Sequence, residues 1–212
     1  MSDRVVLVPG LGFAGAELLP LAVRLRRKGY RVSVFWHCTG KPPLEDSARR
    51  LWDKAAKQSE DVVHFVGHSL GGLVVLRMLA NHRWDRPGRI VTMGTPHAGL
   101  GAARRFAGVP GGRRLLWPGV LAAANCDPIA VPTDRELGVL AGDRNLFFGS
   151  VIVPGQASDT LIGVEETRHP GCRAHVTVSE THAGMLLAGR VASHIDSFLR
   201  EGRFPTRPAA DG

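Results

Sequence analysis

Residues 67–71 read Gly-His-Ser-Leu-Gly, a G-x-S-x-G pattern centred on Ser69. A serine hydroxyl is a weak nucleophile until a base removes its proton, so it must project clear of the chain toward a histidine. A sharp turn from a strand into a helix achieves this, with a strained backbone at the serine. Side chains two residues to either side would crowd such a turn, which accounts for Gly67 and Gly71. The turn also aims helix-start N–H groups at a reacting carbonyl, and the Leu70 amide is the first expected oxyanion donor. This arrangement suits nucleophilic attack on an acyl carbon.

Nine histidines compete for the part of base. His68 is adjacent to the serine, and neighbouring side chains on a sharp turn point apart. His64 falls inside a strand-like run and His194 on the last helical pattern, so both read as structural. His182 follows the final strand-like run and precedes the final helix, at the sheet edge where open α/β folds gather ligands. It is expected to be the general base, which must be neutral to act, so turnover should fall in acid. His97, in Thr95-Pro96-His97-Ala98-Gly99, also ends a strand and reads as structural or substrate-lining. Two aspartates, Asp143 and Asp159, follow the run Leu137–Ala141. Either could orient the base, although Asp143 sits beside Arg144 and is able to pair with it.

Elements that would hold these residues alternate along the chain. Val5–Val8 is apolar and β-branched and stops at Pro9-Gly10, which reads as a buried strand and a turn. Ala14–Lys28 has helical spacing, Tyr30–Trp36 is strand-like, and Leu44, Ala48, Leu51 and Ala55 mark a helix. Val62–Val66 leads into a helix from Ser69 that is apolar over most of its surface. Strands follow at Arg89–Met93, Leu137–Ala141 and Ala174–Val178, and a helix through Leu187, Val191, Ile195 and Phe198 closes the pattern. Alternation of this kind predicts right-handed crossovers and an α/β fold, a mostly parallel sheet with helices on both faces. Residues 98–135 hold six glycines and four prolines with little periodicity, so a loop-rich insertion lining the cleft is expected there. A single domain over residues 1–202 and a frayed tail over 203–212 complete the expected organisation.

Apolar residues make up 44% of the 212 and charged residues 22%, which excludes a predominantly disordered chain. No apolar run is long enough to span a bilayer, and no signal-like segment precedes Val5, so no integral membrane contact and a cytoplasmic location are expected. Cys38, Cys126 and Cys172 offer neither a zinc spacing nor a disulfide framework. The net charge of +8 raises nucleic acid as a partner, but the basic residues are scattered and Tyr occurs once. Interleaved aromatics for base stacking are missing, and no nucleic-acid partner is expected.

VPGLGF near the start, GHSLGG in the middle and THAGML late in the chain resemble the α/β-hydrolase superfamily, close to small bacterial lipases and esterases. The stretches ELGVLAGDRN, PGQASDTLIGVEET and VTVSETHAGM add residues 136–182 to the likeness. This resemblance implies a serine hydrolase with a Ser69–His182–Asp159 triad. Asp159 is implied because the small apolar run after it is similar to the family's acid loop, and the order Ser, Asp, His matches as well. It also implies a second oxyanion donor, the Leu11 N–H, in the turn Pro9-Gly10-Leu11-Gly12, where Pro9 replaces a frequent histidine. TPHAG is similar to a segment that shapes the cleft beside the nucleophile. The expected activity is hydrolysis of small carboxylic esters with short to medium acyl chains, with minimal or no lid and little activation by lipid interfaces. Neither metal nor organic cofactor is required. Phe13, Leu100 and Trp117 are candidates to wall an acyl pocket. The same groups would serve a thioesterase or an acyltransferase, and a non-catalytic binding module on this scaffold is the alternative of another class.

Overall fold

The computed structural model describes residues 3–11, 14–146 and 149–205. Six strands form one parallel sheet: β1 (Arg4–Val8), β2 (Arg31–Val34), β3 (Val63–His68), β4 (Ile90–Met93), β5 (Leu137–Gly142) and β6 (Ala174–Val178), in the order β2-β1-β3-β4-β5-β6. The chain runs outward from β1 to β2, then returns to place β3 on the other side of β1. Ligands of open α/β sheets bind beyond the carboxyl ends of the strands at such a reversal. Ser69 follows β3 and Leu11 lies beyond β1, so both fall at this point.

Helices cover both faces. On one side α2 (Leu44–Ala55) and α3 (Leu70–Asn81) pack on Val6, Val8, Val63, Phe65, Leu137 and Val139. On the other, α1 (Leu19–Arg27) and α9 (Gly189–Glu201) pack on Val5, Leu7, Val66, Val91 and Leu140. Successive strand residues thus feed opposite layers, which is why the strands read as continuous apolar runs. Leu73, Val74, Val75, Leu76 and Met78 of α3 are fully buried. Each such side chain contributes about 1.5–3 kcal/mol of burial free energy, so the element that carries the serine turn is firmly seated.

Residues 98–135, expected as a loop-rich insertion, carry three short helices: α4 (Gly101–Ala107), α5 (Gly112–Leu115) and α6 (Pro118–Ala124). Helices of four to seven residues complete at most two turns, too few for a 3.6-residue period to emerge among the glycines and prolines. Val120, Ala123 and Ala124 join the α3 side of the core. Two short helices, α7 (Gly149–Ile152) and α8 (Gly184–Leu187), flank the loops after β5 and β6. Of the expected tail, residues 206–212 lie outside the described residues. No helix among the described residues is long and apolar enough to cross a membrane.

Candidate active site

Ser69 sits between β3 and α3 with φ 53° and ψ −127°. A non-glycine residue with positive φ is strained by roughly 1–3 kcal/mol, and such strain is held in place only when surrounding contacts fix it. Two contacts do so here. The Ser69 N–H donates to Met93 O at 2.8 Å, and the Thr95 hydroxyl donates to Ser69 O at 2.8 Å. Nearby glycines are required by space. A Cβ on Gly67 would lie 2.5 Å from Gly72 Cα, and one on Gly71 would run into Val8 O. The crowding at Gly71 therefore comes from the end of β1 rather than from the turn alone. Gly10 packs directly on the serine, since a Cβ there would lie 2.6 Å from Ser69 Cβ and 3.2 Å from its Oγ.

Leu70 is the first residue of α3, so its N–H is among the amides for which the helix itself holds no acceptor. Leu11 is half exposed beyond β1. The two leucines meet at Gly40, where a Cβ would come within 2.9 Å of Leu70 Cδ1 and 3.0 Å of Leu11 Cδ1. Gly12 and Phe13, expected in the turn and the acyl wall, lie outside the described residues.

His182 and Asp159 are brought together. The imidazole Nδ1 lies 2.6 Å from Asp159 Oδ2, and the His182 N–H donates to Asp159 O at 2.8 Å. In the neutral ring Nδ1 donates to the carboxylate and Nε2 keeps its lone pair. Asp159 is fully buried, and its other oxygen accepts the Leu161 and Ile162 amides at 3.0 and 2.8 Å. Those bonds close a tight turn in which Thr160 is held at φ 96° and accepts the Leu146 N–H at 3.0 Å. Asp143, by contrast, is exposed at the end of β5.

His68 and His97 are both buried. The His68 ring faces that of His182 with centroids 4.6 Å apart, and its Nε2–H donates to His182 O at 3.1 Å. The strand bearing the serine is thereby tied to the loop bearing His182. Burial, reinforced by the His182 ring, pushes the His68 imidazole down to about 3. His97 lies within 2.9 Å of the Thr92 hydroxyl through Nε2, packs edge-on against His169, and leaves Nδ1 without a partner. Burial pushes it down to about 3 as well. His64 accepts the Arg89 N–H, and His194 donates to Arg190 O, as structural histidines do.

Sequence reasoning quoted Gly72 and Thr95 within motifs but gave neither of them, nor Gly94, a part of its own. Gly94 adopts φ 53°, and a Cβ there would lie 2.8 Å from Asp159 Oδ2 and 3.0 Å from His182 Nδ1. A Cβ on Gly72 would collide with the Thr95 hydroxyl. Their signal was the position of Gly94-Thr95 at the carboxyl end of β4, the strand beside the serine turn. Leu100 is partly buried against the core, whereas Trp117 is exposed. A cavity of about 770 Å³ opens at the opposite, amino end of the strands, between His64, Arg89, Arg135 and Glu136. It lies far from Ser69 in the sheet, and its Arg135 guanidinium is engaged by the Trp84, Arg86 and Gly88 carbonyls. Among the described residues, no group of three or more His, Cys, Asp or Glu side chains is arranged to hold a metal ion.

No protein-family model matches this sequence, and no curated protein matches it. Solved structures do resemble it. The mature Bacillus licheniformis lipase BlEst2 is 17% identical, with a TM-score of 0.70 over 96% of this chain and 93% of its own. The metagenomic carboxyl esterase MGS0156 is 21% identical, with a TM-score of 0.62 over 85% of this chain and 64% of its own. A pyrethroid hydrolase from Sphingobium faniae JZ-2 is 17% identical, with a TM-score of 0.63 over 95% and 98%. These likenesses, with the sheet order and crossovers described above, establish that the chain has the α/β-hydrolase fold.

Proposed function

We propose that this protein hydrolyses carboxylic esters of short to medium acyl chains through an acyl-enzyme formed on Ser69. The His182 Nε2 lone pair takes the Ser69 proton as Oγ bonds to the acyl carbon, and the Leu11 and Leu70 amides stabilise the oxyanion. The imidazolium, stabilised by the Asp159 carboxylate, then protonates the departing alkoxide. His182 then takes a proton from water as the water oxygen bonds to the acyl carbon, and returns it to Ser69 Oγ as the acyl–serine bond breaks and the carboxylic acid leaves. The observation that carries this reading is the 2.6 Å contact between His182 Nδ1 and a fully buried Asp159, on the same sheet edge as a serine held at φ 53°. Solved structures of this fold that include a lipase, a carboxyl esterase and a pyrethroid hydrolase support the substrate class.

The test is turnover of p-nitrophenyl esters of graded chain length by the wild-type chain and by Ser69→Ala. Hydrolysis that peaks at short or medium acyl groups and is lost in the variant is expected. Wild-type activity retained by Ser69→Ala would contradict the reading. Matched oxygen and thiol esters in the same assay separate an esterase from a thioesterase.

A further inference from the structure

Residues 98–126 carry Arg104, Arg105, Arg113 and Arg114 and no carboxylate, half of the chain's net charge of +8 in one short stretch. All four arginines are exposed. Large apolar side chains stand among them: Phe106 is 44% exposed, Val109 50%, Leu115 74% and Trp117 47%. From 104 to 118 only Gly112 is buried, and Leu116 anchors the stretch by packing part-buried against the core. Gly112 holds it together, since a Cβ there would run into Phe106 O and lie 2.9 Å from the Val109 side chain. The patch continues across the rim, where the Arg105 guanidinium bonds Ile152 O on α7, next to Val151 at 81% exposure. It borders the candidate site as well: the Gly119 N–H donates to Gly40 O at 3.0 Å, and Gly40 is the residue against which Leu11 and Leu70 meet.

We propose that the α4–α6 cap docks this protein onto anionic lipid surfaces, placing the site beside Ser69 at the boundary between lipid and water. Four large apolar side chains exposed within twelve residues suit a surface that something covers. Arginines beside Leu, Val, Phe and Trp suit an interfacial lipid, where the apolar groups enter the acyl boundary and the guanidiniums meet phosphates. Charge argues against a second copy of the chain, because a two-fold interface through this patch would bring arginines against arginines. The largely aliphatic contact set argues against stacked bases. Docking does not depend on the hydrolytic reading, and Ser69→Ala is expected to dock as the wild type does.

Co-sedimentation of the full chain with vesicles tests this. Vesicles of equal parts phosphatidylglycerol and phosphatidylcholine should bind it at least about tenfold more tightly than phosphatidylcholine alone. Binding to the anionic vesicles should fall by about tenfold or more in Arg113→Glu/Arg114→Glu and fall clearly in Val109→Ser/Leu115→Ser. Both variants should keep the wild-type Tm, since these side chains lie outside the core. Equal binding to the two vesicle types, no binding to either, or wild-type binding by the charge-reversal variant would overturn the proposal. So would a solution dimer that the Val109→Ser/Leu115→Ser variant dissociates, or displacement of the vesicles by an oligonucleotide bound at the same arginines.

Discussion

His182 and Asp159 are joined twice, side chain to side chain at 2.6 Å and main chain to main chain at 2.8 Å. The second bond fixes where the loop after β6 sits relative to the turn after β5, and the first fixes the imidazole on that frame. Asp159 also completes its own turn through the Leu161 and Ile162 amides. One carboxylate therefore closes its own turn and, on the proposed mechanism, orients the base, and substitution can separate the two.

Asp159→Asn retains an oxygen for the two turn amides but presents an amide N–H to His182 Nδ1. The imidazole is then driven to the wrong tautomer, and kcat should fall by about 10³–10⁴ with the fold intact. Asp159→Ala should lose activity too, and in addition about 1–3 kcal/mol for each buried amide left unpaired. Ester kinetics and thermal melts of the two variants check both halves. A Tm for Asp159→Ala equal to that of Asp159→Asn would remove the turn-forming role.

Gly94→Ala should be among the most damaging small substitutions in the molecule. The new methyl would enter the space between Asp159 and His182 at a backbone angle that disfavours any side chain. Gly111→Ala is the control: Gly111 also has positive φ, 80°, but a Cβ there meets nothing within 4 Å. It should cost only about 1–2 kcal/mol and leave kcat/KM unchanged. Similar loss of activity in both variants would show that backbone strain alone, not the methyl's position, is responsible.

His68→Phe keeps a ring against His182 while removing the donor to its carbonyl. The lost hydrogen bond is worth about 0.5–1.5 kcal/mol, and the unsatisfied carbonyl adds to this. A drop in kcat larger than any rise in KM is expected, because on the proposed mechanism the bond positions the base rather than the substrate. Kinetics with unchanged kcat would assign His68 to packing alone.

Acid should destabilise this protein in a defined window. His68 and His97 stay neutral in the fold down to about pH 3, because burial opposes their charged form. An unfolded chain takes up protons on both near pH 6.5. The unfolded state thus binds more protons between those values, and stability is lost as pH falls through the window. At pH 5 the loss should approach about 2 kcal/mol per histidine. Urea unfolding at pH 7.5 and pH 5 measures it, and His97→Gln should reduce the difference. No change in stability between the two pH values would contradict the assignment of these rings as buried and neutral.

Much of this architecture was legible because it rests on local signals. β-branched runs mark the strands, and the crowding of Gly67, Ser69 and Gly71 marks the turn. His182 and Asp159 could be paired in sequence only through their places after strands and through family likeness, since 22 residues separate them along the chain. The insertion at 98–135 was legible as a place, but its helices α4–α6 were not, because they are too short to show a period. The contacts of Gly94 and Thr95 with the serine and the His182–Asp159 pair were not legible, for a different reason. Their importance comes from β4 lying beside β3 in the sheet, and strand order is a long-range property that local pattern does not encode. The patch of exposed Leu115 and Trp117 was hidden for the same reason, as apolar side chains in sequence read equally well as core.

Reactivity of Ser69 itself tests the account most directly. A fluorophosphonate probe applied to the folded wild-type chain, followed by intact mass and peptide mapping, should give one adduct located on Ser69 and none on Ser69→Ala. Labelling should fall steeply in Asp159→Asn, whose base is misoriented. Folded wild-type protein that takes no label, or a Ser69→Ala variant that labels as the wild type does, would contradict the assignment of Ser69 as the nucleophile.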